Sequence, residues 1–144
     1  LTLAKVKCAR TVEPFMRDER SLNALDMAEA FANGEATYDE LRNAVKAAYA
    51  AVYAAYAAYA ASTDYAAYAA ASAAAYAASY GSYTAAAYYA SFSASYADDA
   101  CAAAYPDTHT KAKQENQLLT ANIVRETIGD LIIERTNELL ITKP

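Results

Sequence analysis

Apolar positions recur at helical spacing along the chain, and no stretch alternates with the period of two that a half-buried strand requires. In "LTLAKVKCARTV", Leu3, Val6, Cys8 and Val12 fall near one face. Pro14 ends or kinks that helix, because it lacks an N–H and clashes with the preceding turn. "RDERSLNALDMAEAFANGEAT" predicts a second helix, with Ser21 as N-cap. Leu22, Leu25, Ala28 and Phe31 form its apolar face, and Gly34 supplies a left-handed C-terminal cap. "TYDEL" is a capping-box signature, since Thr37 stands three residues before Glu40. The helix it starts carries Leu41, Val45, Tyr49, Val52, Tyr53, Tyr56 and Tyr59 on one continuous face, with alanine filling the rest. On this pattern Tyr49, Tyr53 and Tyr56 are expected to be mainly buried. Tyr53→Ala should then cost about 3 kcal/mol or more.

"STD", Ser62 to Asp64, reads as a junction, although one long helix through it stays open. The next helix, from about Asp64, places Tyr65, Tyr68, Tyr76, Tyr80 and Tyr83 on a stripe, and Gly81 ends it. Another follows to Tyr105, with Tyr89, Phe92 and Tyr96 on one side, and Pro106 stops it. Beyond Pro106, Leu118, Leu119, Ile123, Val124 and Ile128 suit a packed helix. Gly129 is expected to bend the chain, with Asp130 capping a last short helix that carries Leu131, Ile132, Leu139 and Leu140. The expected fold is all-α: one domain over residues 1–144, a compact bundle of five to seven helices. Its zones are N-terminal helices (1–46), closely packed antiparallel Ala/Tyr-rich helices (47–105) and C-terminal helices (106–144). In this picture the tyrosines are the large half of a knob-and-gap surface, and alanine lets neighbouring helices come close. The "AAY" triplets keep no fixed long period, which argues against a solenoid repeat.

Composition narrows the classes. Hydrophobic residues make up 56% of the 144 and charged ones 20%, the opposite of an intrinsically disordered balance. The net charge of -5 repels phosphate backbones, so no nucleic-acid polymer is expected as a partner; a small nucleotide in a closed pocket is not excluded by it. Two cysteines far apart, Cys8 and Cys101, make no disulfide framework and fit reduced thiols in the cytoplasm. Tyr65 to Ala97 carries no formal charge, but apart from Phe92 it holds no Leu, Ile, Val, Met or Phe. Alanine, serine and tyrosine give little transfer energy, so no membrane span is expected. The opening "LTLAKVKCAR" lacks methionine and is too charged for the apolar centre of a signal peptide.

Candidate chemistry is sparse. His109, the single histidine, sits in "PDTHT", a loop beside a helix start. "DDACAAAYPDTH" gathers Asp98, Asp99, Cys101, Asp107 and His109. On a helix Asp99 turns away from Asp98 and Cys101, and no Cys-x-x-Cys or His-x-x-x-His pair supports a metal. The three glycines form no phosphate loop. The expectation is therefore a protein that is not an enzyme and has neither cofactor nor metal. What remains is a ligand or partner surface, with Tyr65, Tyr68, Tyr76 and Tyr80 as its rings and Arg20 and Arg42 as its cations; Arg10 and Arg17 are further candidates for a phosphate.

"CARTVEPFMRDERSLNALDMAEAFANGEATYDELRNAVKAAYAA", Cys8 to Ala51, resembles the immunity-protein domain of polymorphic toxin systems. It is still more similar to Ala/Tyr-rich bacteriophage relatives of that domain. The landmarks are Cys8 to Arg10, Ser21 to Leu25, Gly34, Ala36, Thr37, Glu40 and Leu41. "ENQLLTANIVRETI", Glu115 to Ile128, is similar to the family's closing helix. The resemblance implies an all-α fold, and no catalytic residues come with it. It implies a neutralising binder, immunity-like or counter-defence, acting in the bacterial cytoplasm on a toxin or defence protein. A sponge that sequesters a small nucleotide signal is the alternative, and a self-assembling structural protein a further one. The extension past Ile128, "GDLIIERTNELLITKP", departs from the family and suits an oligomer or partner contact.

Overall fold

The computed structural model describes residues 2–62, 65–79 and 83–141. Six α-helices stand among them: α1 (Thr2–Arg10), α2 (Glu19–Ala32), α3 (Tyr38–Ser62), α4 (Tyr65–Ala78), α5 (Tyr83–Ala104) and α6 (His109–Ile141). Short 3-10 turns lie at Glu13–Phe15 and Pro106–Thr108. No strand occurs among the described residues, and the fold is an all-α bundle. The Thr63–Asp64 junction, Tyr80 and Gly81 lie outside the described residues.

Helix ends follow local chemistry. Pro14 sits in the first turn of the 3-10 segment, where its missing N–H costs nothing, and α1 has already ended at Arg10. Gly34 adopts φ +79° after α2. Its N–H donates to the Phe31 carbonyl and that of Glu35 to the Ala30 carbonyl, the paired bonds of a Schellman motif. At α3 the Thr37 N–H donates to Glu40 Oε2 at 2.8 Å. The Glu40 N–H returns to Thr37 Oγ1 at 3.3 Å, completing the capping box. One expectation fails. The N-cap of α2 is Asp18, which accepts from the Arg20 N–H, while Ser21 is fully buried with its hydroxyl unpartnered.

The centre of the bundle is α4, packed against α1, α2, α3 and α5. Residues Ala69 to Ala75 and Ala77 to Ala78 are all buried, so α4 is hidden almost all round and has no polar stripe. Only small side chains allow that many neighbours around one helix. Ser72 fits because its hydroxyl donates to the Tyr68 carbonyl four residues back at 2.9 Å, which makes it a small satisfied residue. The larger core side chains come from the flanking helices, Val6, Leu25 and Leu41, and from the turn after α1, Val12, each at most 1% exposed.

Two further expectations are corrected. Tyr53 is 74% exposed and Tyr56 56%, while Tyr49 is half-buried. The buried face of α3 is Leu41, Ala44, Ala48 and Ala51. It is turned by about 100° from the centre of the tyrosine stripe at the helical period. Alanine takes the buried contact, and Tyr49 and Tyr56 pack beside it against Tyr76 and Tyr68 of α4. In the closing segment α6 runs unbroken from His109 to Ile141, through Gly129 and Asp130. Gly129 therefore does not bend the chain, and Asp130 does not begin a new helix.

Candidate functional site

The tyrosines displaced from the core assemble beside it. Tyr59 packs on Tyr65 at 5.4 Å between ring centroids, Tyr56 on Tyr68 at 5.5 Å and Tyr49 on Tyr76 at 6.3 Å. Partners advance along α3 as they recede along α4, so the rings mark the register of an antiparallel pair. The row continues onto α5: Tyr76 stacks on Tyr96 at 5.5 Å with 9° between planes, and Phe92 lies 5.2 Å from Tyr76. Edge-to-face and offset geometries dominate, as the ring quadrupole favours. Tyr68 touches Tyr96 at 6.3 Å and closes the network across three helices. Burial, with smaller contributions from Asp99 and Tyr68, holds the Tyr65 phenol above its usual range. Burial, then Tyr68, pushes Tyr96 up to about 12. Both stay neutral at physiological pH.

Of the surface expected from the sequence, Tyr65, Tyr68 and Tyr76 do come together in this network. Arg20 and Arg42 do not join it. Arg20 closes on Asp18, with Nη2 to Oδ2 at 2.6 Å, and Arg42 pairs with Asp39 at 3.0 Å. Arg42 also lies fourteen residues before Tyr56 on α3, about 21 Å along the axis. Arg10 is held by Glu13, Asp26 and Glu29 at 3.0, 2.8 and 2.9 Å. Burial alone would lower its pKa, but hydrogen bonds to these three carboxylates outweigh that and raise it.

A cavity of about 220 Å³ lies between α3 and α4, lined by Arg17, Asp18, Ala51, Ala54, Ala55, Ala58, Ala67 and Ala71. It is smaller than common ligand pockets of about 300–1,000 Å³, and no tyrosine lines it. Near the chain's later turn, Asp98 accepts from Asn116 Nδ2 at 2.7 Å and Asp99 from Lys113 at 2.8 Å. Cys101 Sγ points at the Ala112 carbonyl, 3.6 Å away. These groups join α5 to α6. Asp107 and His109 are exposed, and no three His, Cys, Asp or Glu side chains converge among the described residues. Burial and then Asp98 push the Cys8 thiol up to about 11. Burial likewise raises Cys101, so neither is poised as a thiolate.

Sequence reasoning missed Lys5, which is 2% exposed. Its ammonium donates to the Ser79 carbonyl just past the end of α4. A cation there satisfies an orphan carbonyl and meets the negative end of the helix dipole. Burial lowers its pKa to about 8. The position gave a faint signal, since Lys5 sits between Ala4 and Val6 in a helix whose apolar residues do not all fit one face.

No helix among the described residues is long and apolar enough to cross a membrane. Comparisons of the chain with protein-family models, with curated proteins and with solved structures return no match.

Proposed function

We propose that the protein is a non-catalytic neutralising binder, immunity-like or counter-defence and of bacteriophage or other mobile-element origin. It engages a toxin or host defence protein through its tyrosine face. The observation that carries this is the placement of Tyr53 and Tyr56, 74% and 56% exposed on α3, with the half-buried rings of Tyr59, Tyr65 and Tyr68 behind them. Tyrosine is enriched in protein interfaces because a rigid ring covers a large area at small entropic cost. Here Tyr56 packs on Tyr68 of α4 at 5.5 Å, so that ring is positioned before a partner arrives. The resemblance of Cys8–Ala51 to immunity-protein domains points to the same role.

Nucleotide sequestration finds less support. A sponge needs rings beside an enclosed cavity; the cavity between α3 and α4 is lined by alanines with Arg17 and Asp18, and a larger one of about 440 Å³ between α5 and α6 has Tyr105 as its one lining ring. The parallel rings of Tyr76 and Tyr96 already stack on each other.

The test is capture from bacterial lysates with the purified chain, beside a Tyr53→Ala/Tyr56→Ala variant. A partner held by the wild type and lost by the variant supports the reading; retention of no protein by either defeats it. A thermal-shift panel of cyclic and ADP-ribose-derived nucleotides checks the alternative. A ligand at a hundred times its dissociation constant adds about 2.7 kcal/mol of stability, a rise of several degrees.

A further inference from the structure

We propose that two copies of the chain pair antiparallel through the outer face of α6, about a two-fold axis that passes between Arg125 and Glu126. The inner face of α6 is fixed by Ala112, Asn116 and Thr120, buried at four-residue spacing. Asn116 donates to Asp98 of α5, and the Thr120 carbonyl accepts from Cys8 Sγ of α1. At about 100° per residue, Leu118 lies on the opposite side of the helix from Asn116 and Thr120. Leu118 is 67% exposed and Ile133 61%. They are fifteen residues apart, four turns and about 60°, so both stand on the outer face about 22 Å from each other. Two large apolar side chains held in water on one face of a long helix mark a surface that something covers.

Charge along the same face selects a second copy as the occupant. In an antiparallel pair, setting Leu118 against Ile133 of the second copy fixes every other facing pair. It puts Arg125 against Glu126 and Asn122 against Gly129, each twice because the pair is symmetric. Arg125 and Glu126 are both exposed, and neither has an ion-pair partner among the described residues. The Arg125 Nη1 donates to Asn122 Oδ1 at 2.5 Å, which leaves other guanidinium N–H groups for a carboxylate. Asn122 meets Gly129, where a Cβ position would have nothing within 4 Å.

Other arrangements fit less well. Leu118 set against itself carries Ile133 beyond the first residue of the second α6, and Ile133 set against itself carries Leu118 past the last residue of the chain. A parallel pair faces Arg125 with Arg125 and Glu126 with Glu126, which is repulsive. A membrane surface selects a basic polar face, whereas Lys111 and Arg125 are balanced here by Glu115 and Glu126. Since α6 packs mainly on α5 and α1, the dimer leaves the tyrosine face of α3 uncovered and carries two of them.

The experiment is sedimentation equilibrium of the full chain from about 1 to 100 μM. The mass should rise from 15.4 kDa toward twice that value. Leu118→Asn/Ile133→Asn should stay monomeric throughout, with an unchanged circular dichroism spectrum because both side chains stand in solvent. Arg125→Glu and Glu126→Arg should each weaken dimerisation about tenfold, since each sets like charges together at both contacts. Arg125→Glu/Glu126→Arg restores opposite charges and should return to within about threefold of the wild type. A monomer at every concentration, a dimer that survives the asparagine pair, single charge variants as tight as the wild type, or a double variant no tighter than the singles would each overturn the proposal. So would loss of the dimer in Tyr53→Ala/Tyr56→Ala, which would put the interface on α3. The inference is independent of the binder reading. A dimer of this kind that captures no lysate protein keeps the α6 interface and sinks neutralisation; a monomer that captures one does the reverse.

Discussion

Lys5 carries the largest conflict between a single residue and its surroundings. Its ammonium is buried, which disfavours the charged form and lowers its pKa from 10.5 to about 8. Between those values the unfolded chain binds more protons than the folded one, so stability rises with pH. The cost of the buried charge is present in full below about pH 8 and is relieved as Lys5 deprotonates. Relative to a Lys5→Met variant, the wild type should gain roughly 2 kcal/mol between pH 7 and pH 10. Urea titrations at each pH read this directly, and a flat difference would mean that Lys5 is solvated. Residues of similar size differ sharply elsewhere by position. Leu25, with no exposed surface, should cost about 2–5 kcal/mol as Leu25→Ala. Tyr53→Ala should stay within about 0.5 kcal/mol, because the ring stands in water. The same titrations compare the two.

Helix α4 inverts the usual division of labour among elements. Most helices bury large residues along one stripe, but α4 buries small ones on nearly every side. Its stability comes from close backbone approach and dense dispersion contacts rather than from area per side chain. Enlarging it should therefore be as harmful as hollowing out a conventional core. Ala74→Leu is expected to cost about 1–3 kcal/mol or more, read from the denaturant midpoint. Helix α6 gives the opposite case. Gly129 lies inside a continuous helix, and an added Cβ would meet nothing within 4 Å. Gly129→Ala should raise stability by up to about 1 kcal/mol, the propensity difference between the two residues. A loss there would show that the glycine serves a backbone conformation alanine cannot adopt.

At the scale of the whole molecule, α4 lies where α1, α2, α3 and α5 meet. Opening it means parting all four neighbours, so its amides should exchange hydrogen only through global unfolding. Native-state exchange should then give α4 the highest protection in the chain, with one cooperative melt by circular dichroism. Faster exchange in α4 than in α2 would mean that the alanine seams open locally. The tyrosine network fits this division: rings beside a hidden, tightly held helix form a face that keeps its shape when something binds.

Local rules carried far. The Schellman turn at Gly34, the Thr37–Glu40 capping box, the stop at Pro106 and the all-helical class were legible because each depends on neighbours in sequence. So was the gathering of Tyr65, Tyr68 and Tyr76, since spacing alone puts them on one stripe. The sequence did not say which side of α3 faces inward. An amphipathic reading assigns the largest apolar residues to the core, so it buried Tyr53 and Tyr56. Tertiary packing chose the alanine side, because helices that meet over methyl groups come closer than rings allow. Gly129 was misread for a related reason: a glycine tolerates a helix as well as a bend, and only the folded chain selects one. Lys5 and the α5–α6 pairing of Asp98 with Asn116 join residues 74 and 18 positions from their partners, a separation that no local pattern encodes.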